Sequence, residues 1–258
     1  MHGYAMIAHL NRSNRYDTYE VWSEERLCSC VAKRPRPDAP RKTAADLRLE
    51  GERLIALAHP HIVRGYELLE TDDGPTLIME TLDGETVAHL LAGRRLDTDE
   101  VAWLGLQVAS ALRYLHGRGL LHVDVKPGNL IATGGRAVLI DLSMARPPGR
   151  YRRGLGTWCN LSPEQARGDE LTAAADVWGL GTVLLEAAHG APAFPQQEPE
   201  FPQLVFPPPL VDGPLGDVIA ACLAFDPFDR PTLPELAAAL LPHAPGARPW
   251  SDPCAATS

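Results

Sequence analysis

The stretch His122-Val123-Asp124-Val125-Lys126-Pro127-Gly128-Asn129, followed by Asp141-Leu142-Ser143, constrains this chain more than any other feature. An acid, a lysine two residues on, an asparagine three beyond that and a second acid after a short hairpin form a layout suited to phosphoryl transfer. That chemistry needs a base to orient a hydroxyl, a cation to offset phosphate charge and oxygen ligands for a metal. Asp124, Lys126, Asn129 and Asp141 supply all three.

Composition narrows the field further. At 258 residues the chain can bury the core of one large domain or two small ones. Hydrophobic residues at 45% and charged residues at 22% describe a soluble protein. A formal net charge of -9 argues against a nucleic-acid surface, which would be basic. No apolar run approaches the ~20 residues of a membrane span. The start, Met1 to Leu10, lacks a signal-peptide layout, so the expected location is cytoplasmic. Five cysteines with no repeated C-x-x-C spacing disfavour a disulfide framework or a zinc site. Cys28 and Cys30 share one strand face, where two small apolar groups are expected. Only three of the 24 basic residues are lysines, namely Lys33, Lys42 and Lys126.

Periodicity divides the chain into a β-rich first part and a helical remainder. Leu27 to Ala32 and Thr76 to Met79 read as strands, the second after an Asp73-Gly74-Pro75 turn. Between them, Thr43 is placed to cap a helix running through Ala58, with Leu47, Leu54 and Leu57 on one side and the His59-Pro60 step as its stop. Asp97 to His116 carries Val101, Leu104, Val108, Ala111, Leu112 and Leu115 at helical spacing and ends at Gly117. Ala174 to His189 is apolar nearly all round, as a buried helix should be. Thr232 and Glu235 form a capping-box pair. The proline-rich segment from Ala191 to Pro214 reads as an irregular surface connection, and residues 243–258 as a flexible tail.

From about Leu10 to Leu241 the motifs resemble, in order, those of the protein kinase family. The catalytic loop matches H-R-D-x-K-x-x-N, and Asp141-Leu142-Ser143 stands where the family has D-F-G. Cys30-Val31-Ala32-Lys33 stands in the place of V-A-I-K. Taken alone, Lys33 reads as a surface lysine opening the basic run Lys33-Arg34-Pro35-Arg36. Glu50 changes that balance, because Glu50-Gly51-Glu52-Arg53-Leu54 resembles the helix whose glutamate pairs with the strand lysine. Glu52 competes for the role, but two residues along a helix it faces elsewhere. Leu77-Ile78-Met79-Glu80-Thr81-Leu82 resembles the segment that leads from the gatekeeper, here Met79, to the adenine-binding backbone. Gly156-Thr157 with Leu161-Ser162-Pro163-Glu164, Asp176-Val177-Trp178-Gly179-Leu180-Gly181 and Asp226-Pro227-Phe228-Asp229-Arg230-Pro231-Thr232 resemble the end of the activation segment, the central helix and the D-P-x-x-R-P-T segment.

The resemblance implies an α+β, two-lobed fold, with a small β-rich lobe over residues 4–82 and a larger helical lobe over 83–242. It implies a bacterial-type serine/threonine kinase moving the ATP γ-phosphate to a protein hydroxyl. Asp124 would be the base and Lys126 the phosphoryl-stabilising cation. Lys33, Glu50, Val31, Glu80, Leu82 and Ile131 would bind ATP, while Asn129 and Asp141 would hold Mg2+ or Mn2+. His122, Thr157, Glu164, Asp176 and Arg230 would be structural, with Glu164 and Arg230 as a buried pair. The alternative is a pseudokinase, a nucleotide- or protein-binding module that transfers nothing. A small-molecule kinase fits less well, because such enzymes generally lack the Ser162-Pro163-Glu164 ending.

Three departures stand out. Counted back from Lys33, the glycine-rich loop positions are Asn11, Ser13 and Tyr16, with Thr18 for the following valine. Val123 replaces the arginine of H-R-D, which predicts activity without activation-segment phosphorylation. Leu142-Ser143 replaces Phe-Gly. Tyr151 is the free hydroxyl of the activation segment, and Arg150, Arg152 and Arg153 beside it could receive an acidic partner.

Overall fold

The computed structural model describes residues 3–194 and 199–244, arranged as two compact units. One runs to Asp83 and takes in Asp141–Ser143, and the other holds Gly84–Ile140 and the chain from Met144 on. The expected tail lies, from residue 245 on, outside the described residues.

The first unit is built on an antiparallel sheet. Strands β1 (Tyr4–Arg12), β2 (Tyr16–Ser23) and β3 (Cys28–Pro35) precede helix α1 (Lys42–Ala56), then β4 (Gly65–Thr71) and β5 (Gly74–Glu80) follow. The sheet order is β1-β2-β3-β5-β4. Alternation sends Cys30 and Ala32 into a core with Tyr4, Val21 and Ile78. Cys28 packs on the same cluster, so the cysteine pair is the small apolar pair expected. Helix α1 buries Leu47, Glu50 and Leu54 along one face and leaves Glu52 exposed.

Two details of α1 differ from the sequence reading. Thr43 is not its cap, because the helix already begins at Lys42 after Arg41, and no side chain caps it. The Thr43 hydroxyl instead accepts from Arg15 Nε at 3.5 Å. The helix also ends two residues sooner than expected, with Leu57 extended and buried.

In the second unit β6 (Glu85–Thr86) and α2 (Val87–Gly93) lead into α3 (Thr98–His116). Asp97 and Glu100 form a capping box at the start of α3. Strands β7 (Leu130–Thr133) and β8 (Arg136–Leu139) pair behind the catalytic loop. A short ladder of β9 (Gly149–Arg150) with β10 (Glu170–Leu171) brackets α4 (Pro163–Arg167). Then come α5 (Ala173–His189), α6 (Gly216–Cys222) and α7 (Leu233–Leu240). Helix α5 is buried along most of its length, as its apolar sequence requires. A side chain at Gly179 on α5 would stand 3.0 Å from Val125 Cβ, so glycine lets this helix lie against the catalytic loop.

The proline-rich connection is not wholly a surface one. Phe194 and Phe201 are buried, and Phe194 stacks on Trp178 with ring centroids 6.2 Å apart. Their aromatic area is large enough to pull an irregular segment inward. Among the described residues no helix is long and apolar enough to cross a membrane.

Candidate functional site

In the first unit, β3 and α1 bring together two groups 17 residues apart. Lys33 Nζ donates to both oxygens of Glu50 at 2.9 Å, and Asp141 Oδ1 stands 3.4 Å from the same ammonium. Leu142 N donates to Glu50 Oε1 at 3.2 Å. Burial by itself would lower the Lys33 pKa, but the charges of Asp141 and Glu50 outweigh it and hold the ammonium above its ordinary range. Burial pushes the Glu50 carboxyl up, and Lys33 opposes that push. Val31, two residues along β3, is half-buried and pairs with Met79. Glu80 N donates to Arg64 O at 3.0 Å, and Leu82 is half-buried beyond it.

The hairpin between β1 and β2 has its own chemistry. Its tip is Ser13-Asn14-Arg15, and Ser13 Oγ accepts from Tyr16 N at 2.9 Å and Arg15 N at 3.3 Å. Ser13 N donates to Tyr16 O. Amides that a glycine-rich loop would offer to phosphate are therefore used within the turn. Arg15 ion-pairs with Asp46 on α1 and so ties the tip to the helix. Tyr16 turns its ring inward, 4.5 Å from Lys33 Nζ, and its hydroxyl reaches Thr43 O at 3.5 Å. Neither contact was visible in the sequence, where Tyr16 registered only as a lost glycine.

In the second unit the catalytic loop is pinned from below by Asp176 on α5. Its Oδ2 accepts from His122 N at 2.8 Å and its Oδ1 from Val123 N at 2.7 Å. His116 Nε2 also lies 2.7 Å from Asp176 Oδ2. These bonds hold Val123 at φ 72°, a conformation rarely adopted by a β-branched residue. Val123 fills an apolar cluster with Leu121, Leu155 and Leu171.

Asp124 lies above this base. Its Oδ2 is 2.9 Å from Lys126 Nζ and accepts from Asn129 Nδ2 at 3.1 Å. Its Oδ1 is buried with no hydrogen-bond partner. Lys126 also donates to Thr157 Oγ1. Asn129 Nδ2 serves Asp124 O as well, at 2.9 Å, which leaves the amide oxygen as the atom for a cation. Asp141, in the first unit, sits at φ 70° with Oδ1 accepting from Ser143 N and its side chain one-third exposed. Each of these two residues, in its own unit, carries an oxygen of the kind a hard divalent cation takes. Ile131 is half-buried on β7.

The expected structural residues are placed by strong contacts. Arg230 binds Glu164 through Nη1–Oε1 at 2.6 Å and Nη2–Oε2 at 2.9 Å, both side chains buried. Gln165, which the motif reading passed over, is buried too. Its Nε2 donates to Val123 O and to Leu155 O, each at 2.8 Å, and so splices the activation segment to the catalytic loop. A polar residue directly after Pro163-Glu164 was the available signal.

Comparison with known proteins places the chain in a family. The protein kinase domain family matches residues 17–241. The chain belongs to the protein kinase family, and the relatives it resembles are on the serine/threonine branch. Serine/threonine-protein kinase PkaA of Streptomyces coelicolor is 34% identical over 209 residues, covering 72% of this chain and 37% of that protein. An Aurora kinase of Eremothecium gossypii is 33% identical over 223 residues, 81% of this chain and 60% of the relative. PknB of Mycobacterium tuberculosis is 36% identical over 165 residues, 59% of this chain and 26% of the relative. The chain thus spans less than two thirds of each of these proteins. The family match begins at Asp17, so β1 and the hairpin tip lie outside it. Protein kinases as a family use ATP and a divalent metal.

Proposed function

We propose that the chain is an active serine/threonine protein kinase that transfers the ATP γ-phosphate to a protein hydroxyl. One observation carries the reading. Asp124 is clamped through one oxygen by Lys126 and Asn129, while its other oxygen is buried without a partner. A buried, unsatisfied acceptor costs about 1–3 kcal/mol. A substrate hydroxyl donating to Oδ1 would relieve that cost and be aligned for attack. Asp124 then accepts the hydroxyl proton as the new P–O bond forms and the bond from the γ-phosphorus to the β,γ-bridging oxygen breaks, ADP leaving with that electron pair, while Lys126 offsets charge on the transferring group.

Asn129 and Asp141 would hold Mg2+ or Mn2+, which when bound screens the phosphate oxygens. Lys33, fixed by Glu50, would contact the phosphates. Because the hairpin amides are used internally, Lys33 carries more of that grip than it would beneath a glycine-rich loop. At Glu80 the N–H already serves Arg64, so an adenine contact there falls to the carbonyl. Val31 and Ile131 would pack on the base, and Leu82 would offer its backbone. We place the reaction in the cytoplasm, which suits the free cysteines, and we expect no nucleic-acid partner for a chain of net charge -9. The lobe boundary is proposed near residue 83.

The test is incubation with γ-labelled ATP, Mg2+ or Mn2+ and a generic protein substrate. Label on serine or threonine, absent with Asp124→Asn, supports the reading. Nucleotide binding without any transfer would leave only a binding module.

A further inference from the structure

The stretch between Asp141 and Glu164 contains Arg146, Arg150, Arg152 and Arg153 and no acidic residue, in a chain of net charge -9. These residues do not lie in a loose loop. Arg150 is in β9, paired with Glu170 of β10. Gly154 N donates to Gln165 O at 2.9 Å, and Gln165 Nε2 bridges Leu155 O and Val123 O. The backbone that carries the arginines is therefore tied to the loop that carries Asp124.

The acids around them are nearly all engaged elsewhere. Glu164 is buried against Arg230, and Asp169 pairs with Arg167. Glu200 reaches Arg153 at 3.4 Å, a contact open to solvent on both sides. Glu170 faces Arg150 across the ladder but makes no ion pair among the described residues. Arg146 is turned inward, donating to Met144 O and lying over the Tyr151 ring at 4.9 Å. Arg150 and Arg152 remain exposed, with no carboxylate partner among the described residues.

We infer that Arg150 and Arg152, supported by Arg153, form a docking surface for an acidic acceptor segment, a serine or threonine flanked by Asp or Glu. The inference rests on the kinase reading above and names the substrate class of that same site. Positive charges held beside the base raise the local concentration of an acidic segment and set its register. Forked guanidinium groups also suit carboxylates better than ammonium groups do. The opposing feature is Glu186 on α5. This half-buried carboxyl has its pKa raised by burial, makes no ion pair among the described residues and would favour a basic substrate residue.

Three serine peptides, identical except for acidic, glutamine or arginine flanks, decide the matter. Their binding to the full chain is measured by fluorescence anisotropy at low and high ionic strength, beside kcat and KM for transfer. The acidic peptide should bind about tenfold tighter than the neutral one, an advantage carried by KM and lost at high salt. Arg150→Ala/Arg152→Ala should abolish the preference while leaving melting temperature and the KM for ATP unchanged. Arg150→Lys/Arg152→Lys should retain part of it. Equal binding of all three peptides, tighter binding of the basic one, or a preference that survives the double alanine variant overturns the inference. Acidic preference in binding with no transfer to any peptide supports the surface and overturns the kinase reading alone.

Discussion

The ring of Tyr16 lies 4.5 Å from the Lys33 ammonium, so a residue standing at a glycine position of the family has become a roof over the lysine proposed to contact phosphate. The ring replaces flexible backbone with a fixed cation–π contact, worth up to about 2 kcal/mol when desolvated. Tyr16→Phe keeps the ring and loses only the long bond to Thr43 O. Its KM for ATP should stay within about twofold of the unmodified chain, given so weak a bond. Tyr16→Ala removes the ring from the ammonium and opens the core, and its KM for ATP should rise about tenfold. Equal KM values for the two variants would show that the ring does not position Lys33.

Lys33 and Glu50 should be coupled in stability as well as in binding. Both are buried, and Glu50 is 0% exposed. Lys33→Met leaves that carboxylate without its cation, which typically costs about 3–5 kcal/mol. Lys33→Met/Glu50→Leu should recover most of the loss, because it removes the stranded charge, yet nucleotide binding should be as weak as in Lys33→Met. Denaturant unfolding and calorimetry with ATP check the two halves separately. A single variant as stable as the unmodified chain would contradict the coupling.

Activity should not require phosphorylation of the activation segment. Val123 occupies the place of the phosphate-reading arginine and packs with Leu155 and Leu171, so apolar contact holds the segment. Gln165 adds two hydrogen bonds to the same splice. Phosphatase treatment should leave the rate unchanged, whereas Gln165→Ala should lower it. A large loss after phosphatase, restored by preincubation with ATP, would refute this.

How much of this was legible in the sequence depended on how far apart the partners lie. Asp124, Lys126 and Asn129 fall within six residues, so their spacing alone places them in one loop. The shared face of Val31 and Lys33 followed from strand alternation, and Glu50 from its position on a helix. Contacts made at long separation were harder. The reach of Tyr16 to Lys33 depends on a hairpin register that no local pattern specifies. Thr43 read as a helix cap because local propensity favours it there. In the fold its hydroxyl faces Arg15, and the Arg15–Asp46 pair fixes that end of the helix instead. Ser162 and Gln165 stand at capping-box spacing, which is legible, but the splice that the Gln165 Nε2 makes was missed because its acceptors are two distant backbone carbonyls, which leave no trace in side-chain identity.

Stability should fall on the alkaline side. Burial pushes the Cys222 thiol up to about 12 and the Tyr16 phenol up to about 12. Burial, with the neighbouring Cys28, pushes the Cys30 thiol up to about 11. Each group keeps its proton in the folded chain past the pH at which the unfolded chain releases it. The folded state is thus intact below the ordinary thiol value of 9.0 and loses stability as pH rises toward 11 to 12. The melting temperature should be flat up to about pH 9 and decline above it. Cys30→Ala should flatten the first part of the decline. A melting temperature unchanged up to about pH 11 would show that these groups titrate as they do in the unfolded chain.

Asp124 should act on the acceptor hydroxyl and not on nucleotide binding. Its Oδ2 is held by Lys126 and Asn129, and its buried Oδ1 awaits a donor. Asp124→Asn is nearly isosteric, but an amide at that position cannot take the hydroxyl proton. The neutral amide also ends the ion pair with Lys126, and keeps a hydrogen bond to it only if the amide oxygen faces the lysine. Transfer should fall by about 10²-fold or more, while the dissociation constant for ATP changes little. Asp141→Asn, by contrast, should weaken metal-dependent nucleotide binding as well as transfer, since Asp141 is proposed to hold the cation. The same variant removes a negative charge 3.4 Å from Lys33, so its binding defect should shrink when metal is omitted. A nucleotide dissociation constant and a single-turnover rate for each variant separate the two roles. Transfer by Asp124→Asn at the unmodified rate would mean that another group takes the proton.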